Sequence, residues 1–321
     1  MLVPVLLFLL GLVLLIKGGD WFVEGAVGIA HRFHLSEILI GATIVSIGTT
    51  LPEVMVSSQA ALMGNSGISY GNAIGSIICN TALIAALSAA IRPSKVDRST
   101  LLTPTIVYFV AAGIYALTAW IRGGFSRLNG IIFLAIFVVY MIVLIKQGLS
   151  NPDTSQKDTS SDEDKPLWPD LIRLAVGAAA IAVGANLLVN NGTKIAQALG
   201  VPDSVIGLTF VALGTSLPEL VTAITSLAKG HSALSLGNVI GANIFNIVLV
   251  SGMAITISPF KIPAEKTIGS VNSSLIIDIP LMLIVMGILT IPTIIRGRLK
   301  RWQGCLLLGI YVVFTAYQFM I

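Results

Sequence analysis

The chain has 321 residues, 55% hydrophobic and 11% charged, with a formal net charge of +4. A soluble domain carries about 25% charged residues, so this composition excludes an ordinary water-soluble fold and places the chain in lipid. The positive balance does not imply nucleic acid, because most Lys and Arg residues fall in short loops between apolar stretches, where they orient helices.

The first apolar stretch covers 2–30 and opens MLVPVLLFLLGLVLLIKGGDWF. It lacks a basic start and a small-residue cleavage site, and so reads as a retained helix rather than a signal peptide. Lys17, Asp20 and Glu24 lie in it; Lys17 is expected to pair with Asp20 and to snorkel toward the interface. Further stretches follow at 36–63, 68–91, 99–121 and 128–148. After a break they resume at 167–198, 203–228, 233–257, 273–294 and 302–321. Each is long enough to cross a hydrocarbon core of ~30 Å. The break, NPDTSQKDTSSDEDK at 151–165, is a polar, solvated linker. Its acids Asp162, Glu163 and Asp164 lack the spaced ligands and turn glycine of a calcium-binding loop. Cys79 and Cys305, both in apolar segments, give no disulfide framework and no metal-ligand spacing.

The two halves match at a constant shift of 166 residues. GATIVSIGTTLPE (41–53) falls on GLTFVALGTSLPE (207–219), and GNAIGSIICN (71–80) on GNVIGANIFN (237–246). Five spans per half is odd, so the second half enters the membrane from the other side. The expected fold is an all-α membrane protein of ten transmembrane helices in two inverted five-helix repeats, a plan many secondary transporters share. The repeats are 1–150 and 167–321, joined by the short linker 151–166. With the N-terminus outside, twelve basic residues lie at the inner loops and their edges. Four lie outside: Arg122, Arg127, Lys261 and Lys266. This predicts both termini outside and the linker in the cytoplasm.

Glu53 and Glu219 stand in the middle of apolar spans. A carboxylate there costs about 2.5 kcal/mol or more, so such a group faces a cavity or a partner. Ser46, Thr49, Thr50 and Glu53 share one helix face, and the second half offers Ala212, Thr215, Ser216 and Glu219. Pro52 and Pro218 each precede the glutamate and are expected to free the carbonyls of Gly48 and Gly214. Asn72, Ser76 and Asn80, and in the second half Asn238, Ala242 and Asn246, recur at every fourth residue and supply a second wall. The alternative role for these asparagines is as interhelix glue, strongest for Asn72 and Asn238. Gly71, Gly75, Gly237 and Gly241 read as close-packing or helix-break positions. All the donors are hard oxygens, as Ca2+ takes in sets of about 6–8, and the lack of His or Cys argues against zinc or copper. His31, His34 and His231 fall in inner loops and are not expected to be ligands; Asp278 is expected at the interface.

GTTLPE and GTSLPE, each followed by G-N-x-I-G and then Asn, resemble the repeats of the Na+/Ca2+ exchanger family, over the whole chain. The resemblance implies an antiporter, not an enzyme, moving Na+ and Ca2+ with no cofactor and no protein partner. It implies a Ca2+ site of Glu53, Glu219, Thr49 and Thr215, with Na+ sites drawn from Ser46, Thr50, Ser76, Asn80, Ala212, Ser216 and Asn246. The first and sixth helices would slide against the other eight. Asn246 stands where some relatives carry Asp, Ala242 where others carry Ser, and the large regulatory loop of animal exchangers is absent. A Ca2+/H+ antiporter using the same two glutamates is the alternative. An intramembrane aspartyl protease fits poorly, because the acids are Glu and no G-x-G-D string occurs. A receptor that holds Ca2+ without moving it is a further alternative.

Overall fold

The structure is a computed structural model that describes residues 2–33, 35–150, 166–198, 212–262, 267–268 and 271–320. Among the described residues it is almost wholly helical, and eight helices are long and apolar enough to cross a membrane. In chain order the helices are α1 (Leu2–Arg32), α2 (Glu37–Leu62), α3 (Ser66–Ile91), α4 (Arg98–Arg122) and α5 (Arg127–Ser150). The second half supplies α6 (Trp168–Ala198), α7 (Leu217–Ala228), α8 (Ser232–Ile257), α9 (Ser274–Arg296) and α10 (Arg301–Met320). The linker 151–165, the stretch 203–211 of the seventh expected span, and His34 lie outside the described residues.

Local chemistry sets the helix ends. Asp97 caps α4 by accepting the Ser99 amide at 3.0 Å, as a short carboxylate does for an orphan N–H of a first turn. Gly64 and Gly230, one shift of 166 apart, both take positive φ in the turns after α2 and α7. Glycine is the residue that meets such a turn without a Cβ clash. Two strand pairs tie loops together. β1 (Ser94–Lys95) pairs antiparallel with β4 (Arg298–Leu299), and β2 (Thr267–Ile268) with β3 (Val271–Asn272). An isolated bridge joins Gly124 to Lys261.

The packing falls into two apolar cores. The larger lies among α3, α4, α5, α8, α9 and α10, with Tyr108, Tyr115, Tyr140 and Phe245 deep inside. The smaller gathers Phe22, Val23, Ala26 and Ile29 of α1 and Ile181 and Ala185 of α6 against Ile40 and Val45 of α2 and Leu234 of α8. α1 and α6 run antiparallel in backbone contact. A Cβ at Gly11 would meet the Gly184 carbonyl at 2.8 Å, and one at Gly18 the Gly177 carbonyl at 3.0 Å. Their outer faces, from Leu2 to Ile16 and from Trp168 to Val183, keep large apolar side chains exposed, as a lipid-facing surface requires.

Among the described residues, widened π turns lie at Gly41–Val45 in α2, Asn80–Ala85 in α3, Asn246–Val250 in α8 and Ser274–Asp278 in α9. In two of them a serine hydroxyl bonds the first carbonyl of the turn, Ser46 to Gly41 at 2.7 Å and Ser251 to Asn246 at 2.9 Å. Single π turns inside helices are frequent at functional sites.

Candidate functional site

Glu53 sits inside α2, one residue after Pro52, which remains within the continuous helix. Pro52 has no N–H, so the Gly48 carbonyl lacks its helical donor. The second copy is built differently from the expectation. A separate turn, Ala212–Thr215, precedes α7, and Ser216 lies between them at φ −90°, ψ 6°. Pro218 therefore stands at the start of a helix rather than inside one, where its fixed φ is favourable and its missing N–H costs nothing. Glu219 falls in the first turn of α7.

Both glutamates are 0% exposed. They lie within electrostatic reach of each other. The Ser76 hydroxyl stands beside the Glu53 carboxyl group, and Thr49 and Thr50 beside that of Glu219. None of the four carboxylate oxygens has a partner in hydrogen-bonding geometry among the described residues. No Lys, Arg or His among those residues forms an ion pair with either acid.

Ser46, Thr49, Thr50, Ser76, Asn80, Ser216 and Asn246 are buried as well. Among the described residues, the hydroxyls of Thr50 and Ser216 and both amide atoms of Asn80 and Asn246 have no hydrogen-bond partner. Asn80 and Asn246 each begin a π turn. Ser216 lies next to the Cys79 thiol, which accepts from Tyr311 Oη of α10 at 3.8 Å. Thr215 is half-buried, and Ala212 opens its short turn. No hydrogen bond among the described residues links Asn80, Asn246 or Thr215 to either carboxylate. So many orphaned buried oxygens would be costly in a packed interior, and they fit hard cations, which take oxygen ligands.

α2 and α8 meet backbone to backbone. A Cβ at Gly237 would collide with the main chain of Ile38, and one at Gly241 with the Ser46 hydroxyl and Ala42. Both are close-packing positions, as expected, whereas Gly71 and Gly75, inside the continuous helix Ser66–Cys79, have nothing within 4 Å of an added Cβ and are neither close-packing nor helix-break positions. Ser46 Oγ reaches the Asn238 main-chain oxygen at 3.0 Å and its Oδ1 at 3.3 Å, and Thr49 Oγ1 reaches the same Oδ1 at 3.2 Å. Asn72 Nδ2 donates to the Glu53 main-chain oxygen at 3.1 Å and to Ser57 Oγ at 2.8 Å. The sequence gives no reason to single out Asn243, whose Nδ2 donates to Thr81 beside Asn80 at 2.7 Å; its only signal is an amide inside an apolar helix.

One expectation is corrected at the helix ends. Asp20 does not turn along its own helix to Lys17. It pairs with Lys229 after α7 at 3.4 Å, and Glu24 pairs with the same ammonium at 2.8 Å. Burial opposes the Lys229 charge, but Glu24 and Asp20 outweigh it and hold the ammonium above the usual lysine range. His231 Nδ1 sits 2.6 Å from Glu37 Oε1. Asp278 is half-buried at the start of α9 and accepts from Gln318 at 3.3 Å.

The fold defines a multi-pass helical membrane protein, with a buried cluster of oxygen donors suited to hard cations. A sequence profile described as sodium/calcium exchanger protein matches residues 3–146 and 170–320. A membrane protein of Methanocaldococcus jannaschii is 38% identical over 96% of both chains. The sodium/calcium exchanger MaX1 of Methanosarcina acetivorans is 32% identical over 98% of both. The solved structure of the sodium-calcium exchanger NCX_Mj in zero Na+ and Ca2+ superposes with a TM-score of 0.83 at 36% identity, covering 99% of each chain. The chain belongs to the sodium/calcium exchanger family, whose members are membrane antiporters and not enzymes.

Proposed function

We propose that this protein exchanges Na+ for Ca2+ across the membrane by alternating access, with Glu53 and Glu219 shared between the two ions. Ca2+ takes the two carboxylates with Thr49 and Thr215. Na+ uses the same acids with Ser46, Thr50, Ser76, Asn80, Ala212, Ser216 and Asn246. The observation that carries the reading is a pair of fully buried carboxylates, within electrostatic reach of each other, whose four oxygens are unpartnered among the described residues. An empty site of two negative charges is costly to move through a closed, low-dielectric state. Occupied by cations, the same site is neutral enough to pass, which enforces exchange over leak.

Neutral donors favour Na+ over a proton as the counter-ion. A proton needs only a carboxylate oxygen. The Thr50, Ser216, Asn80 and Asn246 groups, unpartnered among the described residues, add oxygens that a metal cation needs and a proton does not. The exchanger NCX_Mj is described in Na+ and Sr2+ soaks with binding-site occlusion, and the same cation chemistry suits the donors here.

Two inverted five-helix repeats, 1–150 and 167–321, underlie this mechanism, with ten spans, both termini outside and the linker 151–166 in the cytoplasm. The antiparallel α1–α6 contact supports inversion. The shift of 166 carries Gly11 onto Gly177 and Gly18 onto Gly184, and Gly11 lies beside Gly184 while Gly18 lies beside Gly177. A two-fold exchange of the halves requires that crossed pairing. The shift also carries Lys95 of β1 onto Lys261 of the Gly124–Lys261 bridge. α1 and α6 pack in a small core apart from the main one, meeting α2 and α8 through residues such as Ile40, Val45 and Leu234, which suits these two helices sliding against the rest.

The test is radiolabelled Ca2+ uptake into liposomes under an imposed Na+ gradient, compared with an imposed proton gradient. Uptake driven by the Na+ gradient, and not by a proton gradient in the absence of Na+, is expected. Uptake driven by protons with no Na+ requirement would establish Ca2+/H+ antiport instead.

A further inference from the structure

We propose that Asn238 is a positioning residue: it holds the Thr49 hydroxyl hydrogen away from the bound cation. The inference rests on the reading above, in which Thr49 faces Ca2+.

A hydroxyl has one hydrogen and two lone pairs. Thr49 Oγ1 stands beside the Glu219 carboxyl group, but the side-chain acceptor it meets in hydrogen-bonding geometry among the described residues is Asn238 Oδ1 at 3.2 Å. If the hydrogen goes to Glu219, it occupies a carboxylate lone pair that the cation needs and points its positive end into the site. If it goes to Asn238, both the threonine oxygen and the carboxylate are free to coordinate. A cation next to Glu219 therefore requires the second arrangement, and Asn238 supplies the acceptor for it. Ser46 depends on the amide less. Its single hydrogen has the Gly41 carbonyl at 2.7 Å as its nearest acceptor, with the Asn238 main-chain oxygen at 3.0 Å as a second choice.

The amide is well placed for this task. Asn238 is 0% exposed, on a helix held to α2 by the main-chain contact at Gly237. Water does not compete for its oxygen there. Its sequence counterpart Asn72 does something else, turning its amide nitrogen to the Glu53 main chain. The two halves are therefore not interchangeable at this position.

The test is a double-mutant cycle in Na+-driven Ca2+ uptake, with Asn238→Leu, Thr49→Val and the double variant. Loss of one buried hydroxyl-orienting bond raises the KM for Ca2+ by roughly tenfold, with a smaller effect on kcat. In the Thr49→Val background, Asn238→Leu is expected to change KM less than about twofold, because the hydroxyl it orients is gone. Equal effects in both backgrounds would overturn the inference and leave Asn238 a packing residue. If Asn238→Leu does not fold, Asn238→Asp carries the test. Both its oxygens accept, so KM for Ca2+ does not rise; a tenfold rise would overturn the inference too. Absence of Na+-driven uptake in the wild-type protein would defeat the exchange reading itself, whereas normal wild-type uptake with an additive cycle defeats only the role of Asn238.

Discussion

Replacing Gly237 with alanine would separate the two helices that assemble the site. The added Cβ would lie 2.8 Å from Ile38 Cα and 2.9 Å from its carbonyl carbon, and closer still to the carbonyl oxygen. Carbon atoms pack at about 3.5–4.0 Å, so α2 and α8 must part by roughly 1 Å. No rotamer change relieves the clash, because every atom it meets is main chain. Overpacking of this kind costs about 1–3 kcal/mol. The same movement stretches the Thr49–Asn238 hydrogen bond from 3.2 Å beyond the distance at which such bonds hold. Thermal unfolding of the purified protein and the KM for Ca2+ uptake are the assays. The melting temperature is expected to fall by several degrees and KM to rise. Gly309→Ala, on an exposed face of α10 with no atom near the added carbon, is the control and should change neither. Unchanged melting and KM in Gly237→Ala would refute the main-chain contact and the site geometry built on it.

Further outcomes follow from the same structure. Protons compete with Ca2+ for the two carboxylates, so lowering the external pH should raise the KM for Ca2+ while leaving the maximal rate at saturating Ca2+ unchanged. A pH-independent KM across the acid range would argue against carboxylate ligation. Lys229→Ala removes both ion pairs to α1, but Asp20 and Glu24 are 36% and 47% exposed. Pairs so open to solvent contribute about 1 kcal/mol or less. The melting temperature should therefore shift by no more than a few degrees, and a collapse of folding would show that the tie matters more than its exposure allows.

Much of this fold is legible in the sequence because length and apolarity decide it. The second to fourth spans, expected at 36–63, 68–91 and 99–121, are the helices Glu37–Leu62, Ser66–Ile91 and Arg98–Arg122. Glu53 and Glu219 stand out because a carboxylate in an apolar helix is costly, and the duplication marks both. What the sequence hides depends on packing across the halves. The π turn at Asn80 leaves no local pattern, since nothing in N-T-A-L-I-A requires a widened turn. Pro218 reads the same as Pro52 in the paired strings, yet one starts a helix and the other lies within one. The partner of Asp20 lies 209 residues away, so a local reading favours Lys17, three residues off. Asn238 is chosen as an acceptor by Ser46 and Thr49 on another helix, which a single-helix pattern cannot express.

The central claim is that two buried acids, one from each half, hold the transported cation together. Na+-driven uptake of radiolabelled Ca2+ into liposomes, comparing the wild-type protein with Glu53→Gln and Glu219→Gln, addresses it most directly. Each neutralised variant is expected to lose uptake while keeping the wild-type melting behaviour. Normal uptake by either variant would remove that glutamate from the site and contradict the shared-carboxylate mechanism.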